Sequence, residues 1–233
     1  MTANPSTTTP SPTTLSSSST PLAAALKEAT AQAHTTAEHS RFMGRLMAGE
    51  LDTDHVIALT EQLHYLYTAL EEAIARVQHD PRIAAVYNPA LERSAALAHD
   101  LAALRGPQWE SEIADPLPAT VNYRLHLTSL GTHGQAHLLT AHHYVRYLGD
   151  VSGGQVIARR LAQTSDISPE ALTFYQFDLG MGLPHFRQAY RDGLNSLPLT
   201  DSESRSLIEE AIAAFVFNTA IFTDLDQVFC DSA

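Results

Sequence analysis

The sequence predicts an all-α fold, a single-domain multi-helix bundle. Three observations predict it. Apolar residues recur at helical spacing over long stretches, as in Val56, Leu59, Leu63, Leu66, Leu70, Ile74 and Val77. Proline and glycine fall where helices start and stop rather than inside hairpins. No stretch alternates apolar and polar residues as a half-buried strand does.

The elements follow in order. Thr20-Pro21 is read as an N-cap with proline at the first helical position. The first helix then carries Leu22, Leu26, Ala29, Ala33 and Ala37 on one stripe and is expected to end at Gly44 or Gly49. A second helix is expected over about 53–79. A third opens at Asn88-Pro89, carries Leu91, Ala95 and Leu101, and stops at Gly106-Pro107. The three prolines of 107–118 mark a loop. A short helix over about 119–130 ends at Gly131, and a long one covers about 135–163. Ser168-Pro169 opens a short helix, and Pro184 opens another that runs to about 197. Thr200-Asp-Ser-Glu203 is a capping box ahead of a final helix bearing Leu207, Ile208, Ala211, Ile212, Phe215 and Ile221.

Composition bounds the function. A chain of 233 residues suffices for one domain with a real core. With 14 Lys and Arg against 26 Asp and Glu, the net charge of −12 argues against nucleic acid and against anionic membrane surfaces. Cys230 is the only cysteine, which excludes an internal disulfide and zinc–cysteine or iron–sulfur sites. The default setting is a reducing cytoplasm. No run is read as a transmembrane span, and residues 1–20, rich in Ser, Thr and Pro, are read as a disordered tail before a domain over 21–233. That tail lacks the basic and apolar regions of a secretory signal.

The most informative segment lies inside the long helix: Tyr144-Val-Arg146-Tyr-Leu-Gly149-Asp150-Val-Ser-Gly153-Gly154-Gln155. A helix-interior glycine costs roughly 1 kcal/mol relative to alanine. Gly149, Gly153 and Gly154 cluster on one side at about 100° per residue, so that side is bare backbone with Asp150 at its edge. A kink is expected there. On the first helix Lys27, Ala31, His34 and Glu38 share a face. An imidazole with a carboxylate one turn away is a plausible iron or zinc ligand. His142-His143 is read as surface or satisfied residues.

These segments resemble the haem oxygenase family. Leu26-Lys-Glu-Ala-Thr-Ala-Gln-Ala-His34-Thr-Thr-Ala-Glu38, followed by Phe42-Met43, is similar to that family's proximal helix, and the glycine segment is similar to its distal-helix signature. Tyr67-Thr-Ala-Leu-Glu-Glu, Tyr190-Arg191-Asp-Gly-Leu-Asn195 and Phe215-Val-Phe-Asn218 also match, so the likeness runs from about residue 22 to 229. The resemblance implies a haem sandwiched between a proximal and a kinked distal helix. It implies His34 as iron ligand tuned by Glu38, and Gly149, Gly153 and Gly154 as the low distal wall. Asp150 would hold a proton-delivering water network steadied by Tyr67 and Arg146. Lys27, Tyr144, Arg187 and Arg191 would bind the propionates, and Phe215 and Asn218 would sit at the pocket. Phe42 and Phe222 are further candidates for its lining. Ala31 departs from members that carry a lysine there. The implied reaction cleaves haem with O2 to biliverdin, Fe2+ and CO, for iron acquisition, with electrons from a separate reductase or ferredoxin, since the chain has no dinucleotide-binding glycine fingerprint. The alternatives are a non-catalytic haem carrier or sensor, a structural domain whose glycines permit close helix packing, and a thiamin-salvage type enzyme, for which Cys230 is badly placed.

Overall fold

The computed structural model describes residues 20–230. The tail at 1–19 lies outside them, as does the side chain of Cys230. The described residues form eleven α-helices and contain no strand.

Helix α1 spans Leu22–Glu38, one residue later than the sequence suggests at its start. Pro21 itself takes the N-cap position, and its carbonyl accepts from the Ala24 and Ala25 N–H groups at 2.9 and 3.0 Å. The chain leaves the helix at His39–Ser40, so the expected continuation to Gly44 or Gly49 is a separate helix, α2, Arg41–Ala48. This turn returns Phe42 and Leu46 to the core. Gly49 ends α2 at φ 79°, a backbone that L side chains rarely adopt. The buried residues of α1 are Leu26, Thr30 and Ala37; Ala29 is exposed and Ala33 half-buried. The buried stripe is therefore narrower than the sequence pattern.

Helix α3, Thr53–Ala75, is capped by Asp52, whose side chain accepts from the His55 N–H. It stops short of the expected 79. Its middle is buried nearly all round, Thr60, Glu61 and Gln62 included, which makes it a core helix. The buried Glu61 carboxylate is paired with Arg105 at 2.7 Å, and Gln62 accepts from the Leu117 N–H at 2.9 Å. A short α4, Pro81–Ala84, follows. Asn88-Pro89 opens only a single 3-10 turn; α5 itself begins at Ser94 and runs to Arg105, with Gly106 at its end. The expected loop at 107–118 contains one helical turn, α6, Trp109–Glu112.

Helix α7, Pro118–Thr132, passes through Gly131 instead of ending there. That glycine serves close approach: a Cβ on it would lie 2.8 Å from the Cα of Ala73 on α3. The long helix expected over 135–163 is three pieces: α8, Ala136–His143; a π-helical stretch, Tyr144–Leu148; and α9, Gly149–Thr164. The irregularity therefore precedes the glycines. Two 3-10 turns, Pro169–Ala171 and Thr173–Tyr175, stand where a short helix is expected. Helix α10 covers Leu183–Asn195. The capping box is formed as read: Thr200 Oγ1 accepts from the Glu203 N–H at 3.2 Å, and Glu203 accepts from the Thr200 N–H at 2.9 Å. Helix α11, Asp201–Cys230, packs against α1, α2, α3, α7 and α8.

Contrary to the sequence reading, α11 is long and apolar enough to cross a membrane by length and composition. Leu207, Ala211, Ala214, Ile221 and Leu225 on it are core residues, while only 33% of its apolar window is buried.

Gly131→Ala sets a gain of up to about 1 kcal/mol in helix propensity against a backbone collision that must push α3 and α7 apart, at a cost of about 1–3 kcal/mol. The collision wins. Thermal unfolding should show a melting temperature lowered by several degrees, and an unchanged or raised one would refute the close-packing role.

Candidate active site

The cleft that matters has a volume of about 500 Å³ and lies between α1 and α2 on one side and the π-helical stretch with α9 on the other. Helix α3 contributes Leu59 and Leu63, α11 contributes Phe215, Asn218 and Phe222, and the turn after α9 contributes Phe174 and Tyr175. The lining is mainly apolar, with a few polar groups at fixed places, as small-molecule sites are.

His34 and Glu38 line it from α1. Their side chains are 53% and 62% exposed, and His34 Nδ1 stands 3.3 Å from Glu38 Oε2. One ring nitrogen is thereby engaged by the carboxylate, and Nε2 is left to a ligand. Phe215 meets the imidazole edge-on, with centroids 5.6 Å apart.

Gly149, Gly153 and Gly154 line the same cleft. A Cβ on Gly149 or Gly153 would meet no atom within 4 Å, whereas one on Gly154 would lie 3.1 Å from the Tyr175 ring. Helix packing thus accounts for one glycine of the three. The other two face open space, which is what a surface kept low for a ligand requires.

Beside them runs a hydrogen-bonded network. The Tyr67 hydroxyl, fully buried on α3, donates to Asp150 Oδ2 and accepts from Arg146 Nε at 3.1 Å. Arg146 Nη1 donates to Asn218 Oδ1 at 2.5 Å, and its Nη2 stands 3.7 Å from Asp150 Oδ1. The Asp150 side chain is 15% exposed and lines the cleft, while Tyr67 lies behind it. Burial pushes the Asp150 carboxyl above its ordinary value of 3.8, against the Arg146 charge and the Tyr67 hydrogen bond that pull it down. Burial likewise pushes the Tyr67 phenol well up. At Arg146 burial opposes the charge, but the Tyr67 and Asp150 oxygens outweigh it and keep the guanidinium protonated.

The remaining expectations divide. Phe215, Asn218 and Phe222 line the cleft, but Phe42 is fully buried core, stacked on Phe222 at 6.0 Å. Lys27, Tyr144, Arg187 and Arg191 are not among the lining residues. Arg187, on α10, reaches the carbonyl of Ser152 on α9, the neighbour of Gly153, at 3.5 Å. Arg191 donates to Gln188, and Lys27 is exposed on α1, the helix that α10 holds through Asn195 and the Ala23 N–H. His142 and His143 are satisfied but not superficial: both are buried, bonded to Tyr123 and to Tyr190 respectively. Sequence reading missed Met47, Leu59, Leu63, Val145, Ile157, Phe174 and Tyr175 as lining residues. Periodicity marks such residues only as apolar, and their shared cleft comes from helices far apart in the chain.

An imidazole on one wall, bare backbone on the other and an apolar space between them shape a slot for a flat apolar ligand in an all-α protein. The family model described as heme oxygenase matches residues 20–224. Heme oxygenase 1 of Homo sapiens is 40% identical over 210 residues, 89% of this chain and 72% of that protein. Heme oxygenase 2 of Synechocystis sp. PCC 6803, solved in complex with heme and NO, superposes with a TM-score of 0.83 at 35% identity, covering 91% of this chain and 88% of that one. The heme oxygenase of Leptospira interrogans gives 0.82 at 34%, covering 87% and 98%. The chain belongs to the haem oxygenase family, oxidoreductases that produce biliverdin.

The raised Asp150 value sets a sign. A carboxyl that titrates higher folded than unfolded binds more protons in the native state, so its contribution to stability falls as pH rises from 3.8 through the folded value. Arg146→Met removes the cation that holds the carboxylate down. Carbon-13 NMR titration should place the Asp150 midpoint higher in the variant, and a fall would refute the coupling.

Proposed function

We propose that this chain is a haem oxygenase that uses O2 and electrons from a separate donor to cleave haem to biliverdin, Fe2+ and CO, releasing iron for the cell. Haem b is substrate and prosthetic group together. The observation that carries the reading is the open space over Gly149 and Gly153, which line one cleft with the His34 imidazole and adjoin the Asp150 carboxylate.

The cleft fits the group. A haem is a flat apolar disc with two carboxylate tails, and one axial protein ligand suffices because the porphyrin supplies the other four. When bound, the haem iron supplies the O2-activating chemistry. His34 Nε2 would hold the haem iron, with Glu38 3.3 Å from Nδ1 to orient the ring. Phe215 limits rotation of the imidazole. The bare wall at Gly149 and Gly153 would keep side chains out of the space that O2 must enter.

Asp150 is the proton-handling residue, acting through water at its Oδ atoms. Burial raises its affinity for a proton, Tyr67 donates to Oδ2, and Arg146 balances the charge at Oδ1. Asn218 positions Arg146, and so acts one step back from the chemistry. Lys27, Tyr144, Arg187 and Arg191 are assigned to the propionates at the rim. Ala31 leaves that edge one cation short.

A reductase or ferredoxin of the cytoplasm is the electron donor, and neither nucleic acid nor membrane is a partner. The rival is a haem carrier or sensor, and Asp150 argues against it, since mere holding needs no proton-handling carboxylate beside a bare wall.

The test is haemin added to the purified chain, then ascorbate in air, followed by visible spectroscopy. A Soret band that decays into biliverdin absorption is expected, whereas a stable one favours the carrier and none overturns haem binding. Asp150→Ala should keep the Soret band and lose biliverdin formation by roughly 100-fold, the lower end of a positioned proton donor's contribution. Normal turnover in it would remove the proton role. His34→Ala should change the ferric spectrum and weaken haem binding; an unaltered spectrum would move the ligand elsewhere.

A further inference from the structure

Away from the cleft, three helices bring two imidazoles and a carboxylate to one point. His126 comes from α7, His142 from α8 and Glu210 from α11. Their ligand atoms all lie within 4.8 Å of one another. Both Nε2 atoms aim at the same oxygen, Glu210 Oε1, at 2.5 Å from His126 and 2.7 Å from His142. The rings of the two histidines meet at 64° with centroids 5.5 Å apart, so they approach from different directions.

The surroundings are those of a metal site rather than of a surface ion pair. His142 is fully buried, and its Nδ1 is bonded to the Tyr123 hydroxyl at 2.8 Å, the second-nitrogen contact that orients metal-ligating histidines. Phe217 stacks on both Tyr123 and His126 and forms an apolar rim. His126 is 31% exposed, which gives an ion a way in.

We propose that His126, His142 and Glu210 form a site for a divalent transition metal, Zn2+ above all, with water as the fourth ligand. Two neutral nitrogens and one carboxylate are a donor set that Zn2+ takes. Bonds of about 2.0–2.1 Å put tetrahedral ligand atoms roughly 3.3 Å apart. Each nitrogen–oxygen pair therefore opens by less than about 1 Å from its present separation, within reach of side-chain rotation. As Nε2–H tautomers the two imidazoles donate to Glu210. Coordination moves each single proton to Nδ1, where Tyr123 accepts it at His142, and no net proton is released. The ion would pin α7, α8 and α11 together beside the π-helical stretch. None of the three residues lines the cleft.

The test uses the full-length chain, haem-free and stripped with chelator, titrated with Co2+ and then Zn2+. One equivalent of Co2+ should give the visible bands of tetrahedral coordination, Zn2+ should displace them, and zinc should raise the melting temperature. His126→Ala and Glu210→Gln should weaken binding at least 10-fold, and Tyr123→Phe roughly 10-fold, as for other lost outer contacts. Absence of tetrahedral bands, or affinity unchanged in both ligand variants, overturns the proposal and leaves only surface histidines as binders. Should the variants fail to fold by circular dichroism, X-ray absorption of the zinc-loaded wild type decides. Two imidazoles with a carboxylate sustain the site, and any other ligand set overturns it.

Discussion

A guanidinium with almost no access to solvent is the constraint on which the arrangement depends. Removing a charge from water costs several kcal/mol even after relaxation, so Arg146 persists only if its donors are satisfied. They are met by Tyr67 on α3, Asn218 on α11 and Asp150 one turn along its own helix. Each partner comes from a different part of the bundle. The same hydrogen bonds that make the buried cation tolerable therefore fix α3, α11 and the distal helix relative to one another. The Asp150 carboxylate is held where the glycines leave space because the cation behind it leaves few alternatives.

The π-helical stretch is what lets one helix do two jobs. Val145, Arg146 and Tyr147 are all buried, with Tyr147 packed beside Tyr67 and Arg146 between α3 and α11. The wider turn accommodates them and re-phases the helix, so that the next residues present Gly149 and Gly153 to open space. The turn after α9 completes the wall. Asp100 accepts from the Thr173 and Phe174 N–H groups at 2.9 and 2.8 Å, and Gln155 donates to the Tyr175 carbonyl at 2.7 Å. Tyr175 is thereby set against Gly154.

Much of this was legible in the chain. The capping box at Thr200–Glu203, the period of α3 and the glycine cluster are local signals, and local physics carried each into the structure. His34 and Glu38 are one turn apart, so their pairing followed from helical spacing alone. The break at His39–Ser40 was not legible, because polar residues can continue a helix as readily as end one. The π-helical stretch escaped as well, since its residues read as ordinary helix until their burial is known. The role of Gly131 depends on Ala73, 58 residues earlier in sequence. Glu210 and His126 stand 84 residues apart and meet only through packing. Sequence periodicity says which face of a helix is buried and leaves open which helix will cover it.

Helix α1 buries only Leu26, Thr30 and Ala37, and its C-terminal end lines the cleft with His34, Ala37 and Glu38. Whatever occupies the cleft packs against that end. A ligand there is thus a removable part of the hydrophobic core, and occupancy stabilises the fold by mass action. Emptying the cleft therefore withdraws that support from the walls that line it.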